Sequence, residues 1–223
     1  MRRAFLSIIL SFIAFNALSQ DVISVGVAAG SSHYIGDYNK SNPLFSPSPS
    51  FGFLLKNEFG LRTSVRFSFF YTNLNGALDK VDDFNYLPRQ ISSQSFQKKF
   101  MDIAFSLEYN FLPYNPYNEK KDNFTPFVFA GVGTDYFFDN EKNNFPVTIP
   151  FGLGIKYNIF ERFSIGFEWN ARKLFFDTMD GVENITDPGN EPILHNNDWY
   201  HMGSFFITFK PFQEEIDCPA YED

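Results

Sequence analysis

Cysteine is almost missing from this sequence of 223 residues, and the only one, Cys218, lies near the C-terminus. No internal disulfide can staple the fold. Histidine is nearly as scarce: His33, His195 and His201 are the only three. No His or Cys pair has metal-ligand spacing, DTMDG at 177–181 lacks the remaining positions of a calcium loop, and no serine stands in a recognisable nucleophile context. Basic charge is also short, with 18 Lys and Arg against 26 Asp and Glu. That balance excludes nucleic acid as a partner. Beyond the N-terminus no apolar run is long enough for a membrane-crossing helix, and no linker or solenoid repeat divides the chain.

The start is different. MRRAFLSIILSFIAFNALSQD places Arg2 and Arg3 before an apolar run from Ala4 to Leu18, with small residues at Ala17 and Ser19. This is the pattern of a secretory signal peptide. The expected division is a signal peptide at 1–19, one folded domain at 20–212 and a polar tail at 213–223. No cysteine near the cleavage point offers a lipoprotein anchor.

Aromatic residues are abundant, at 20% of the chain with 31 Phe. They recur with a period of two. In MDIAFSLEYNFL, residues 101–112, the odd positions Met101, Ile103, Phe105, Leu107, Tyr109 and Phe111 are apolar, and most of the even ones between them are polar or small. Such a segment is a strand with one apolar and one wet face. Seven more segments read as strands: 22–32, 50–57, 61–72, 125–138 (with weaker alternation), 148–158, 163–174 and 199–210. The glycines of AGVGTDYF and FGLGIKY alternate with strand residues and precede no helix, so they are strand glycines and not a phosphate cradle.

The connections alternate in length. Long polar segments at 33–49, 73–98, 139–147 and 175–198 follow the odd strands; tight turns at 58–60 and 159–162 follow the second and sixth. Eight strands with connections sorted this way predict an all-β fold, an eight-stranded antiparallel outer-membrane β-barrel with both ends in the periplasm. The odd positions of six strands then face lipid. The even positions Lys56, Arg62, Arg66, Asp102, Glu108, Lys156, Glu168 and Arg172 line the interior as a charge network, Glu108 pairing with Arg62 or Arg66. Eight strands enclose space that side chains fill, so the expectation is a polar plug and no solute channel. Barrel closure would bring His33 and His201 together near the outer rim, close to Asp37 and Asp198. Their odd parity favours a rim position over an acid–base site, so no catalytic, metal or cofactor residues are assigned.

Several stretches in order resemble one known family: HYIGDYN at 33–39, FSLEYNFLPY at 105–114, FTPFVFAGVG at 124–133, IPFGLGIKYNIFERFSIGFEWNARKLFFDTMDGV at 149–182, and NNDWYHMGSFFITFKPF with the following CPAY. Together they resemble the PorG-like outer-membrane proteins. The resemblance implies a non-enzymatic barrel of the type IX protein secretion machinery, docked on the periplasmic ring of PorK and PorN. The expected ring contact is the tail, at Cys218, Pro219 and Tyr221. The family's DYLDD-like run reads DTMDG here. The alternative from the residues alone is a small barrel working at the cell surface through its outer loops, as an adhesin or a rim lipid-modifying enzyme.

Overall fold

The computed structural model describes residues 22–35, 46–59, 61–77, 95–114, 122–138, 146–174 and 199–211. Eight antiparallel strands form a closed barrel in chain order: β1 (Val22–Ile35), β2 (Ser48–Phe59), β3 (Thr63–Ala77), β4 (Ser95–Asn110), β5 (Phe124–Phe137), β6 (Val147–Phe160), β7 (Phe163–Leu174) and β8 (Trp199–Phe209). The ring closes where β1 meets β8, from Val25 opposite Phe209 to Ile35 opposite Trp199. The all-β, eight-stranded antiparallel barrel expected from the alternation is the fold observed. The signal peptide, His195 and the tail with Cys218, Pro219 and Tyr221 lie outside the described residues.

The period of two explains why these segments pair as they do. On β4, Phe105 and Leu107 are 57% and 64% exposed while Ala104 and Ser106 are 1% and 4% exposed, so a one-residue slip would turn the apolar row inward. Outward residues pair across strands: the Phe67 and Phe105 rings stand 5.0 Å apart and those of Phe167 and Phe205 4.9 Å apart. Each such pair adds a few tenths of a kcal/mol, up to about 1, to its strand junction.

Outward residues Met101 to Tyr109 cover a run long enough for a tilted strand to cross a bilayer's hydrocarbon, which takes about 9–11 residues. Aromatics edge this band. Tyr109, Phe124, Tyr157 and Phe163 lie toward the chain ends and tight turns, called here the turn end; Tyr71, Tyr136, Phe138 and Trp199 lie toward the opposite, loop end. Such girdles mark the two interfaces of a transmembrane barrel.

Strand boundaries depart from the sequence reading, most of all at two places. β3 and β4 continue as a hairpin, paired out to Ala77 and Ser95, where a long loop from residue 73 was expected. Above the apolar band their outward positions are Asn73, Asn75, Gln97 and Lys99, so the contrast between faces that reveals a strand is lost there. β4 ends at Asn110, and Phe111 and Leu112 begin a connection that turns beneath the barrel.

Candidate functional site

The described interior is filled, and its charged groups form a site of coupled ion pairs. At mid-height Arg66 on β3 reaches across to Glu168 on β7 with a two-point bond, Nη1 to Oε2 at 2.7 Å and Nη2 to Oε1 at 2.9 Å. Its guanidinium lies 4.1 Å from the centre of the Phe129 ring. Glu108 on β4 accepts bonds from two lysines, Lys56 at 3.0 Å and Lys156 at 2.8 Å. Lys56 also sits 4.5 Å from the Phe206 ring centre. Lys156 continues to Glu58 at 3.6 Å.

Nearer the loop end, Arg172 holds Asp102 with Nε at 2.9 Å and Nη2 at 3.0 Å. The Tyr200 hydroxyl lies 3.0 Å from Asp102 Oδ2 and 2.9 Å from Asp135 Oδ1, joining carboxylates that stand opposite one another on β4 and β5. Above them an apolar lid of Tyr34, Leu74, Phe100, Phe137, Leu174 and Tyr200 is almost wholly buried. Phe100 packs on Phe137 at 5.0 Å and on Tyr200 at 5.2 Å.

The turn end is closed by Tyr114. The connection after β4 is knitted to the β2–β3 turn: Asn110 N donates to Arg62 O, Tyr114 N to Leu61 O and Arg62 Nη1 to Phe111 O. This strap carries Tyr114, which is 1% exposed, into the barrel mouth. There its hydroxyl bonds Asn158 and Ser164, and Lys156 lies 4.3 Å from its ring centre. Burial raises the Tyr114 hydroxyl above its usual range, so it stays protonated. Just past the end of β8, burial pushes the Lys210 ammonium down to about 8, against the opposing pull of Glu58.

The structure brings together seven of the eight interior residues expected from parity: Lys56, Arg66, Asp102, Glu108, Lys156, Glu168 and Arg172 are all buried. Arg62 is a correction. It is an exposed turn residue between β2 and β3, spent on a backbone carbonyl, because the strand's alternation starts only at Thr63. The main partners of Glu108 are therefore two lysines; Arg66 is 3.7 Å away and commits its fork to Glu168.

Three charges were overlooked. Glu58 shares the even parity of β2 and lies one residue past the expected strand 50–57; Lys210 ends the expected strand 199–210 at even parity but is absent from the expected charge network. Asp135 was hidden because β5 turns Thr125, Phe127, Phe129 and Phe137 inward, so both of its faces read as apolar. With these, the described lumen has five cations, Lys56, Arg66, Lys156, Arg172 and Lys210. Facing them are five carboxylates, Glu58, Asp102, Glu108, Asp135 and Glu168. Each desolvated ion costs several kcal/mol unless a partner offsets it; Lys56 and Lys156 are offset by Glu108, Lys156 also by Glu58, Arg66 by Glu168 and Arg172 by Asp102, while Asp135 is held by the Tyr200 hydroxyl.

At the loop-side rim His33 and His201 are register partners on β1 and β8. Trp169 lies against both, stacked on His33 at 5.8 Å and tilted toward His201 at 6.1 Å. Ser31 Oγ is 2.9 Å from His33 Nε2. Among the described residues no group of three or more His, Cys, Asp or Glu could hold a metal ion. No described helix is long and apolar enough to cross a membrane, which leaves crossing by strands untouched.

Against this geometry, the family model described as Domain of unknown function (DUF6089) matches residues 2–220. The chain belongs to the DUF6089 family. No curated protein matches it. Among solved structures it is similar to Neisserial surface protein A (NspA), at 13% identity and a TM-score of 0.49, over 84% of this chain and 96% of that one. It is also similar to the N-terminal β-barrel domain of OprF from Pseudomonas aeruginosa, at 14% identity and a TM-score of 0.45, over 85% and 98%. A third is the outer membrane enzyme PagL, at 14% identity and a TM-score of 0.40, over 83% and 98%.

Proposed function

We infer that the protein is a non-enzymatic outer-membrane β-barrel that anchors a periplasmic assembly, acting in the type IX secretion machinery as a dock for the PorK and PorN ring. One observation carries the reading: among the described residues the interior is sealed at both ends and crossed by its own ion pairs. A barrel of this kind offers no path for solute and leaves its turns, tail and outer loops as working surfaces. The secretion role rests on the ordered PorG-like resemblance along most of the chain. Lipid covers the apolar band, both chain ends lie in the periplasm, and Cys218, Pro219 and Tyr221 are the proposed ring contact.

Affinity purification from outer membranes, with identification of co-eluting proteins, tests it. Ring proteins should co-elute, and truncation after Phe212 should abolish both co-elution and secretion while the barrel still assembles. Retention of secretion in a deletion strain would sink the role. The alternative, an adhesin or rim lipid-modifying enzyme, draws on the His33 and His201 pairing at the rim; it expects the deletion strain to lose adhesion or lipid A modification instead.

A further inference from the structure

The outer face of the barrel is uneven from β4 to β8. One register row crosses these strands through Leu107, Ala130, Phe151, Ala171 and His201, and continues to His33 on β1. Large and small side chains alternate along it, and at the two alanines the surface sinks into a groove of about 580 Å³ that Leu153 and Trp169 also line. From β4 to β8 is four strand spacings, roughly 19 Å. Because strands tilt in a barrel, the row climbs from the apolar band on β4 to the loop end on β8. Its length is comparable to one leaflet's share, about 15 Å, of a bilayer's hydrocarbon.

At its loop end the groove changes character. The Trp169 indole lies across β8 in the space that Gly203 leaves, where a Cβ would stand 2.9 Å from Cε3, and so reaches β1 to stack on His33. His201 is half-buried at the end of the groove, and its Nδ1 has no hydrogen-bond partner among the described residues. One row nearer the loops Lys173 is the register partner of Trp199, with Nζ 5.0 Å from the indole centre. By parity His33, Lys173 and His201 all belong to the outer face, and among the described residues of β1, β7 and β8 no carboxylate shares that face. Polar groups are costly where only hydrocarbon meets them, whereas basic groups at a membrane's edge draw anionic headgroups.

We propose that this groove seats one anionic, phosphorylated lipid, its acyl chain lying along Ala130 and Ala171 and its phosphate accepting a hydrogen bond from His201 in the field of Lys173. His33 is a positioning residue that holds Trp169 at the groove. Lipid is the occupant because the groove is cut into the apolar band, which hydrocarbon covers; the lipid is anionic because the titratable groups of the corner are all basic. Its head lies in the leaflet at the loop end, the outer one when both chain ends are periplasmic. The inference needs only that the barrel spans a membrane, so it stands or falls separately from the secretion role.

The test uses the full chain with Trp199→Phe, which keeps a ring beside Lys173 and leaves Trp169 as the one tryptophan. The protein is folded into phosphatidylcholine vesicles in which a rising fraction of lipid carries bromine on its acyl chains, as phosphatidylglycerol in one series and as phosphatidylcholine in the other. Bromine quenches an indole that it touches. Brominated phosphatidylglycerol should reach half-maximal quenching of Trp169 at a severalfold lower fraction than brominated phosphatidylcholine. His201→Leu, which removes the donor, and Ala130→Leu, which fills the groove, should each bring the two series together. Inorganic phosphate should leave the preference as it is in chloride of the same ionic strength. Heat-shifted gel mobility verifies that each variant is a closed barrel; if His201→Leu does not assemble, Ala130→Leu, an apolar change at an exposed position, decides. The proposal is overturned if the two lipids quench alike, if either folded variant keeps the preference, or if inorganic phosphate abolishes it, which would make the site one for the free anion.

Discussion

Arg66 and Glu168 are 102 positions apart in the chain and joined by two bonds inside the barrel. Parity revealed that both point inward, but not that Arg66 crosses the lumen instead of pairing with Glu108 on its neighbouring strand. Partner choice depends on barrel diameter and stagger, which alternation does not encode. Removing one member of a buried pair strands the other charge. Arg66→Met or Glu168→Leu alone should therefore cost about 3 to 5 kcal/mol, and Arg66→Met with Glu168→Leu should cost less than the sum of the two. Urea unfolding from lipid vesicles, read as a double-mutant cycle, measures this; simple additivity would show that the pair is not coupled. Lys210 makes a pH prediction. Its folded pKa of about 8 lies below that of an unfolded lysine, 10.5, so between those values the unfolded chain holds more protons than the folded one. Stability should rise with pH through that window, and Lys210→Met should flatten the rise in equilibrium unfolding curves.

The strands were legible because one face meets hydrocarbon and the other does not. β4 shows the rule and its limit: the contrast is clear from Met101 to Tyr109, and it fades toward Ser95, where the outward Lys99 and Gln97 are polar. β5 was legible as an element but not in its facing, since its inward phenylalanines hide Asp135. Facing is testable on β4. Phe105→Arg places a charge in the middle of the apolar band and should cost about 2 to 4 kcal/mol, with loss of assembled barrel, whereas Phe105→Leu should assemble normally. Equal yields of the two on heat-modifiability gels would refute the assigned register. Gly131 gives a second test, at the β4–β5 junction. A Cβ there would collide with the Phe105 carbonyl oxygen and the Ser106 backbone. At Gly52 the nearest atoms to such a Cβ belong to the ring of Phe70. Backbone cannot rotate away as a side chain can. Gly131→Ala should thus cost about 1 to 3 kcal/mol, and Gly52→Ala less, in unfolding experiments from vesicles.

For the molecule as a whole, the proposed location predicts recovery in the outer-membrane fraction, with a folded form that migrates differently from the boiled one. Recovery from the soluble periplasm would contradict it. Connection lengths and strand count make the barrel readable in the sequence; the apolar lid and the Tyr114 strap are not, because they arise from packing between strands distant in the chain. Ring closure also bears on how the protein is made. β1 and β8 are the first and last strands to be synthesised, and each supplies the other's second neighbour. Until Trp199–Phe209 arrives, a growing chain has two open edges, at β1 and β7, and an outer face that water disfavours. Contacts so far apart in sequence form slowly, so the nascent sheet spends the longest part of its folding in the state most prone to pair with other chains. A chain shortened by this one strand would not be a slightly weaker barrel but an open sheet with no partner for β1, dependent throughout its lifetime on whatever escorts and inserts it.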